Sequence, residues 1–174
     1  MFLINKLDFL INDKYKKEIL EKETQLELLY SQINPHFLYN TLETINWMAL
    51  SKGQKEIASL VKALGNLLRS SIGKNQFLLT VKEELNLLSD YVSIQKKRFG
   101  DSLEVHLSID EDVYSYLILK LSTQILVENS IKHVLEKNGG TCRINVSIKE
   151  KNGELFITVS DNGEGIPTEK IDVI

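Results

Sequence analysis

Residues 32–42 read Gln32-Ile33-Asn34-Pro35-His36-Phe37-Leu38-Tyr39-Asn40-Thr41-Leu42, and the Asn34-Pro35 pair divides one helical pattern from the next. The residue before a proline avoids the helical region, whereas proline itself suits a first helical turn. The helix therefore kinks or restarts here. With Asn34 as N-cap, the run from Pro35 to about Leu50 places Phe37, Leu38, Thr41, Leu42, Ile45 and Met48 on a broad apolar face.

Upstream, residues 13–32 are charged and free of Gly and Pro, with Tyr15, Ile19, Leu26, Leu29 and Ile33 on a heptad seam that Lys22 interrupts. Such a helix either seeks a partner helix or packs on its own domain. The first twelve residues are apolar at intervals, but Lys6 and Asp8 break them and they are too short for a bilayer core of about 30 Å. They lack the layout of a signal peptide as well. Downstream, Gly53 marks a turn, and residues 56–72 carry Ile57, Leu60, Val61, Leu64, Leu67 and Leu68 on one helical face. Two antiparallel helices per chain predict a four-helix bundle in a dimer.

Residues 73–79 read as a linker, and Thr80 with Glu83 reads as a capping box opening a helix to about Arg98, closed by Gly100. The period then changes. Leu103, Val105, Leu107 and Ile109 alternate as a strand, and residues 110–112 turn the chain. Residues 116–136 read as a long helix closed by Asn138-Gly139-Gly140. Two strands at 142–149 and 155–160 follow, joined at Asn152-Gly153 by a tight hairpin. The pattern predicts an α+β fold.

An apolar share of 43% and a charged share of 26% are ordinary for a globular chain and indicate neither disorder nor a membrane-embedded protein. A net charge of −3 from 21 basic and 24 acidic residues leaves no global footprint for nucleic acid. The single Cys142 excludes an internal disulfide framework and, with no Cys/His cluster beside it, a zinc site.

Three segments carry candidate chemistry. His36 falls in the first turn after Asn34, where unpaired N–H groups and the positive end of the helix dipole favour an incoming phosphoryl group. A neutral imidazole is a competent nucleophile near neutral pH. In the run Gln124-Ile125-Leu126-Val127-Glu128-Asn129-Ser130-Ile131-Lys132-His133, the helical spacing puts Asn129, Lys132 and His133 on one face. That face offers an oxygen ligand and cations to one phosphate chain, or is simply a solvated edge. Mg2+ takes oxygen ligands and keeps several waters, so an asparagine oxygen with phosphate oxygens makes a plausible shell. In Asp161-Asn162-Gly163-Glu164-Gly165-Ile166, a carboxylate at a strand end can accept from an adenine amino group, and Gly163 and Gly165 admit close approach of a base. An ordinary acidic turn is the other reading.

Residues 32–42, with Trp47-Met48-Ala49, resemble the phosphoacceptor motif of bacterial two-component sensor histidine kinases of the LytS- and YesM-like branch. Residues 124–133 resemble the N box, and residues 161–166 the G1 box, of the ATPase fold that histidine kinases share with gyrase. The three stand in the expected order. The resemblance implies a protein-histidine kinase using ATP and Mg2+, with His36 phosphorylated, Asn129 on Mg2+, Lys132 and His133 near the phosphates, and Asp161, Gly163 and Gly165 at the nucleotide. It implies a relay to an aspartate in a response regulator receiver domain, a homodimer, and the cytoplasmic portion of a plasma-membrane sensor, with no membrane span in this chain.

Phe37 stands where most histidine kinases have an acidic residue, so the general base is open between Glu43 and Glu128. Asn40, one turn beyond His36, positions a water or a partner carboxylate, or only decorates the helix. Ile125 and Val134 replace a proline and a glycine of the nearest branch. The implied layout is the end of a HAMP-like signalling helix at 1–22, dimerisation and phosphoacceptor helices at 23–79, a connecting helix at 80–100, and a partial Bergerat-type ATPase domain at 101–174. The family's lid and second Gly-rich loop lie beyond Ile174, so weak ATP binding and weak autophosphorylation are the expectation. A non-catalytic dimerisation and phosphotransfer fragment is the alternative. A serine-directed kinase relative would leave the His36 segment without a purpose.

Overall fold

The computed structural model describes residues 14–22, 24, 34–72, 77–136 and 140–165. They fall into two compact units, 1–41 and 42–174. In the first, residues 14–22 are helical and leave Tyr15 and Ile19 exposed. Leu26, Leu29 and Ile33 of the predicted seam lie outside the described residues, as do the Asn138-Gly139 turn and Ile166 with Pro167. Asn34 is non-helical and caps helix α1 (Pro35–Ser51): its Oδ1 accepts from the Phe37 N–H at 3.1 Å, and its carbonyl accepts from the Leu38 N–H at 3.2 Å.

In the second unit, Gly53 takes a left-handed φ of 71° and leads into α2 (Lys55–Ile72). Helix α2 lies antiparallel along α3 (Val81–Phe99). Lys97 pairs with Glu56 at 3.0 Å near one end, and Asn66 Nδ2 donates to Asp90 Oδ2 at 2.9 Å further along. Thr80 opens α3 with the reciprocal box its spacing predicts. The Thr80 Oγ1 accepts from the Glu83 N–H at 3.2 Å, and Glu83 Oε2 accepts from the Thr80 N–H at 2.8 Å. Val81, Leu85, Leu88 and Tyr91 then form a buried stripe at helical spacing, and Glu84 lies within it.

Two expectations need correction. The stretch 73–79 does not run to its end as linker, because Leu78 begins strand β1 (Leu78–Thr80). Likewise the helix expected from residue 116 begins only at Ser122. Leu117–Leu119 is strand β3, antiparallel to β1 with Leu78 opposite Leu119 and Thr80 opposite Leu117; strand β2 (Leu103–Ile109) lies between them in sequence. A short apolar run such as Leu117-Ile118-Leu119 fits strand or helix equally by pattern. Pairing decides it: the Val81 and Lys82 N–H groups, unpaired at the start of α3, donate to the Tyr116 and Tyr114 carbonyls at 2.8 and 3.2 Å. Leu121 then adopts a left-handed φ of 63°, unusual for a bulky residue, and α4 (Ser122–Ile131) begins.

The second sheet has the order β2-β4-β5, from β2 (Leu103–Ile109), β4 (Cys142–Lys151) and β5 (Glu154–Asp161). Strands β2 and β4 are parallel, so their connection must cross over, and α4 lies on that crossover. Strands β4 and β5 form the expected hairpin. Asn152 and Gly153 have φ of 57° and 83°, the pair of positive values that a tight two-residue turn demands. Along β4, alternate residues Cys142, Ile144, Val146 and Ile148 are fully buried with Leu103, Val113, Val127 and Leu88. Each such aliphatic contributes about 1.5–3 kcal/mol by leaving water.

The α3 cap has a definite pH signature. Hydrogen bonds from the Thr80 backbone and then its hydroxyl hold the Glu83 carboxyl below its ordinary value of 4.5. A carboxyl depressed in the folded state adds stability above its unfolded pKa and loses it as pH falls through the folded one. Thr80→Ala should cost about 1 kcal/mol near neutral pH in urea unfolding. The gap between wild type and Glu83→Gln should narrow below pH 4.5; a gap constant into strong acid would contradict the cap's ionic character.

Candidate functional site

In the first unit, the Asn34 cap leaves His36 exposed in the opening turn of α1. Asn40, one turn on, brings its Nδ2 to 3.3 Å from both ring nitrogens of His36. An amide can donate to whichever ring nitrogen is bare, so the contact orients the imidazole without covering it. Phe37 is 65% exposed beside it, and the Thr41 hydroxyl donates back to the Phe37 carbonyl at 2.8 Å. Asn40 is thus the side chain that hydrogen-bonds His36 among the described residues.

In the second unit, α4 presents Glu128 and Asn129 to solvent while Val127, Ser130 and Ile131 turn inward. After Ile131 the helix widens into a π turn over Lys132–Glu136, where Lys132 and His133 are exposed and Val134 is buried. Such widened turns often occur at functional sites, because they re-aim side chains without ending the helix. The position where valine replaces the branch's glycine therefore lies inside this turn.

The loop after β5 closes onto the same turn. The Asp161 Oδ1 accepts from the Gly163 N–H at 2.9 Å, fixing the carboxylate at the strand end. A Cβ on Gly163 would lie 2.9 Å from Asp161 Oδ1 and 2.9 Å from Val134 Cγ2, so a glycine is needed for this close approach. Gly165, with φ of 76°, needs glycine for its backbone conformation instead. Asp161 and Gly163 are thereby brought against the turn that carries Lys132 and His133. An exposed carboxamide on α4, an ammonium and an imidazole on the widened turn, and a carboxylate on the loop packed against that turn offer an oxygen ligand, positive charge and a hydrogen-bond acceptor on one unit.

Two residues escaped the sequence reading. Asn162 bridges the loop to the start of β4, its Oδ1 accepting from the Arg143 N–H and its Nδ2 donating to the Thr141 carbonyl, both at 2.8 Å. Its neighbours in sequence give no sign of that, because both partners lie about twenty residues away. Glu84 had a visible sign, a carboxylate inside the apolar stripe of α3. Behind the loop, Cys142 is fully buried; burial first, and then the nearby Asp161 charge, pushes its thiol upward.

Two family models match the chain: Histidine kinase over residues 24–103, and Histidine kinase-, DNA gyrase B-, and HSP90-like ATPase over residues 116–174. Sensor histidine kinase YesM of Bacillus subtilis is 42% identical over 164 residues, which make up 94% of this chain and 28% of that protein. Sensor protein LytS of Staphylococcus epidermidis is 33% identical over 156 residues, covering 89% and 26%. LytS of Bacillus subtilis is 32% identical over 151 residues, covering 86% and 25%. The chain thus spans 25–28% of the length of these relatives. A solved histidine kinase domain from Erythrobacter litoralis EL346 aligns with a TM-score of 0.36 at 17% identity, over 78% of this chain and 75% of that one.

Two outcomes follow for the loop. Gly163→Ala should lower stability by about 1–3 kcal/mol in urea unfolding, the usual cost of forcing atoms into a filled space. A neutral result would mean that Val134 and Asp161 yield freely. The Cys142 thiol should resist a water-soluble thiol reagent at pH 8 in the folded chain and react fully once denatured.

Proposed function

The chain belongs to the histidine kinase family, and on that premise we propose that it moves the γ-phosphoryl group of ATP to His36 for relay to an aspartate of a response regulator. The observation that carries this reading is the state of His36: exposed, in the first turn of a capped helix, with its ring held by Asn40.

Mg-ATP supplies the group to be transferred and a hard cation that neutralises developing phosphate charge. The protein's part is positioning and electrostatics. A bare ring nitrogen of His36 attacks the γ-phosphorus in line, the N–P bond forms as the bond to the bridging oxygen breaks, and ADP departs with that oxygen. Asn40 limits rotation of the imidazole through the attack, and the helix N-terminus favours the added negative charge. Asn129 would offer an oxygen to Mg2+, Lys132 and His133 would meet the phosphates, and Asp161, in the loop with Gly163 and Gly165, would accept from the adenine amino group. Glu128 is exposed on α4 beside Asn129, a place from which a carboxylate can take up a proton.

Association with a second copy belongs to the same proposal. Helix α1 leaves Phe37, Ile45, Trp47, Met48 and Leu50 substantially exposed, and α2 leaves Ile57 and Leu64 so. Apolar surface of this kind marks an interaction face. Among the described residues no helix is long and apolar enough to cross a membrane. The proposed layout keeps a signalling segment at 1–22, a dimerisation and phosphoacceptor region at 23–79, a connecting helix at 80–100 and an ATPase portion at 101–174.

The test uses γ-labelled ATP and Mg2+, with the chain alone and mixed with a longer family kinase stripped of its own phosphoacceptor histidine. Acid-labile, alkali-stable label is expected on this chain in the mixture and absent from His36→Gln. Asn40→Ala should slow labelling by about 10-fold or more, the scale of a lost positioning contact. Label retained by His36→Gln would overturn the assignment, and no label on the wild type would favour a non-catalytic fragment.

A further inference from the structure

Glu84 is fully buried, lies on the apolar stripe of α3, and takes no part in the chemistry above. A carboxylate removed from water must be met by donors. Its two oxygens are shared out: Oε2 accepts from the Leu121 N–H at 2.8 Å, and Oε1 from the Thr123 N–H at 3.0 Å. Both amides belong to the start of α4, where backbone donors lack helical partners and negative charge is favoured.

Helix α4 does not cap itself. Its N-cap position is the left-handed Leu121, which offers no side-chain acceptor. Ser122 Oγ and Thr123 Oγ1 are buried with no hydrogen-bond partner among the described residues. The cap therefore comes from another helix, and it joins the segment matched by the histidine kinase model to the segment matched by the ATPase model.

We propose that Glu84 is a positioning residue that seats α4 against α3 and so ties the orientation of Asn129, Lys132 and His133 to the connecting helix. The inference rests on the nucleotide reading of α4. Helix α3 is itself held along α2 by the Asn66–Asp90 and Lys97–Glu56 contacts, so a displacement of these helices reaches α4 at its first turn. The connecting helix then tunes nucleotide binding through one carboxylate.

The experiment compares wild type, Glu84→Gln and the milder Glu84→Asp by site-resolved hydrogen exchange and by Mg-ATP titration. Glu84→Gln keeps the shape but loses the charge and turns an NH2 toward a backbone N–H. Exchange at residues 121–125 should rise by about 10-fold or more while β4 and β5 stay protected, because local opening at a helix start is separable from global unfolding. Mg-ATP affinity should fall about 10-fold, with Glu84→Asp intermediate in both readouts. Equal loss of protection in β4 and β5 would reduce Glu84 to a general stabiliser and overturn the proposal. Unchanged exchange at α4 would do the same, as would unchanged nucleotide affinity. A wild type that binds no Mg-ATP would sink the nucleotide reading and the link to it, while the exchange pattern would still decide whether Glu84 seats the helix. If Glu84→Gln does not fold, Glu84→Asp carries the same comparison.

Discussion

A carboxylate sealed from water between two helices sets the frame on which the exposed face of Asn129, Lys132 and His133 is built. Glu84 reaches out of α3 to the first amides of α4, and the short β1–β3 ladder brings the two helix starts side by side. The arrangement is reciprocal. Unpaired N–H groups at the start of α3 are met by the Tyr114 and Tyr116 carbonyls just ahead of α4, and those at the start of α4 are met by Glu84. Lys120 closes the set by donating to the Phe77 carbonyl at 2.9 Å. The start of α3 finds its partners in the chain just ahead of α4, and the start of α4 finds its own in a side chain of α3, so neither start can shift alone.

This explains which elements were legible in the sequence. Features settled by neighbours in the chain were read from it: the Thr80 box, the Asn34 cap, the alternation of β2, and the Asn152-Gly153 turn. The caps are local contests between side-chain and backbone hydrogen bonds, the turn is a demand for positive φ, and the strand is a period of two in apolar residues. Leu117-Ile118-Leu119 was misread because its conformation depends on β1, almost forty residues earlier. The left-handed Leu121 is equally non-local. Nothing about a leucine invites that backbone, and it persists because the bonds on either side over-determine it.

The candidate site divides in the same way. Residue types with intrinsic chemistry, His36, Asn129, Lys132, His133 and Asp161, were identifiable by their spacing and by resemblance. Their supports were not. Asn162 ties the loop after β5 to the start of β4, and Val134 packs so close to residue 163 that a Cβ there would lie 2.9 Å from it. The widened turn over Lys132–Glu136 was equally hidden, although the valine inside it marked a departure from the branch. A supporting contact is a property of two distant positions, and one sequence displays each of them separately.

The groups proposed to meet nucleotide and phosphate are exposed and held by short local contacts, whereas Glu84, proposed to seat α4, is buried. His36 has Asn40, and Asp161 has the Gly163 N–H. Glu84 and Cys142, by contrast, are fully enclosed. A solvated reacting group can change charge state and partner at small cost to the fold, while a buried positioning group cannot move without disturbing the helix it holds. That asymmetry leaves the exposed groups free to react on a frame that resists deformation. The contact that joins the two helices in that frame is the pair of hydrogen bonds from the Leu121 and Thr123 N–H groups to Glu84.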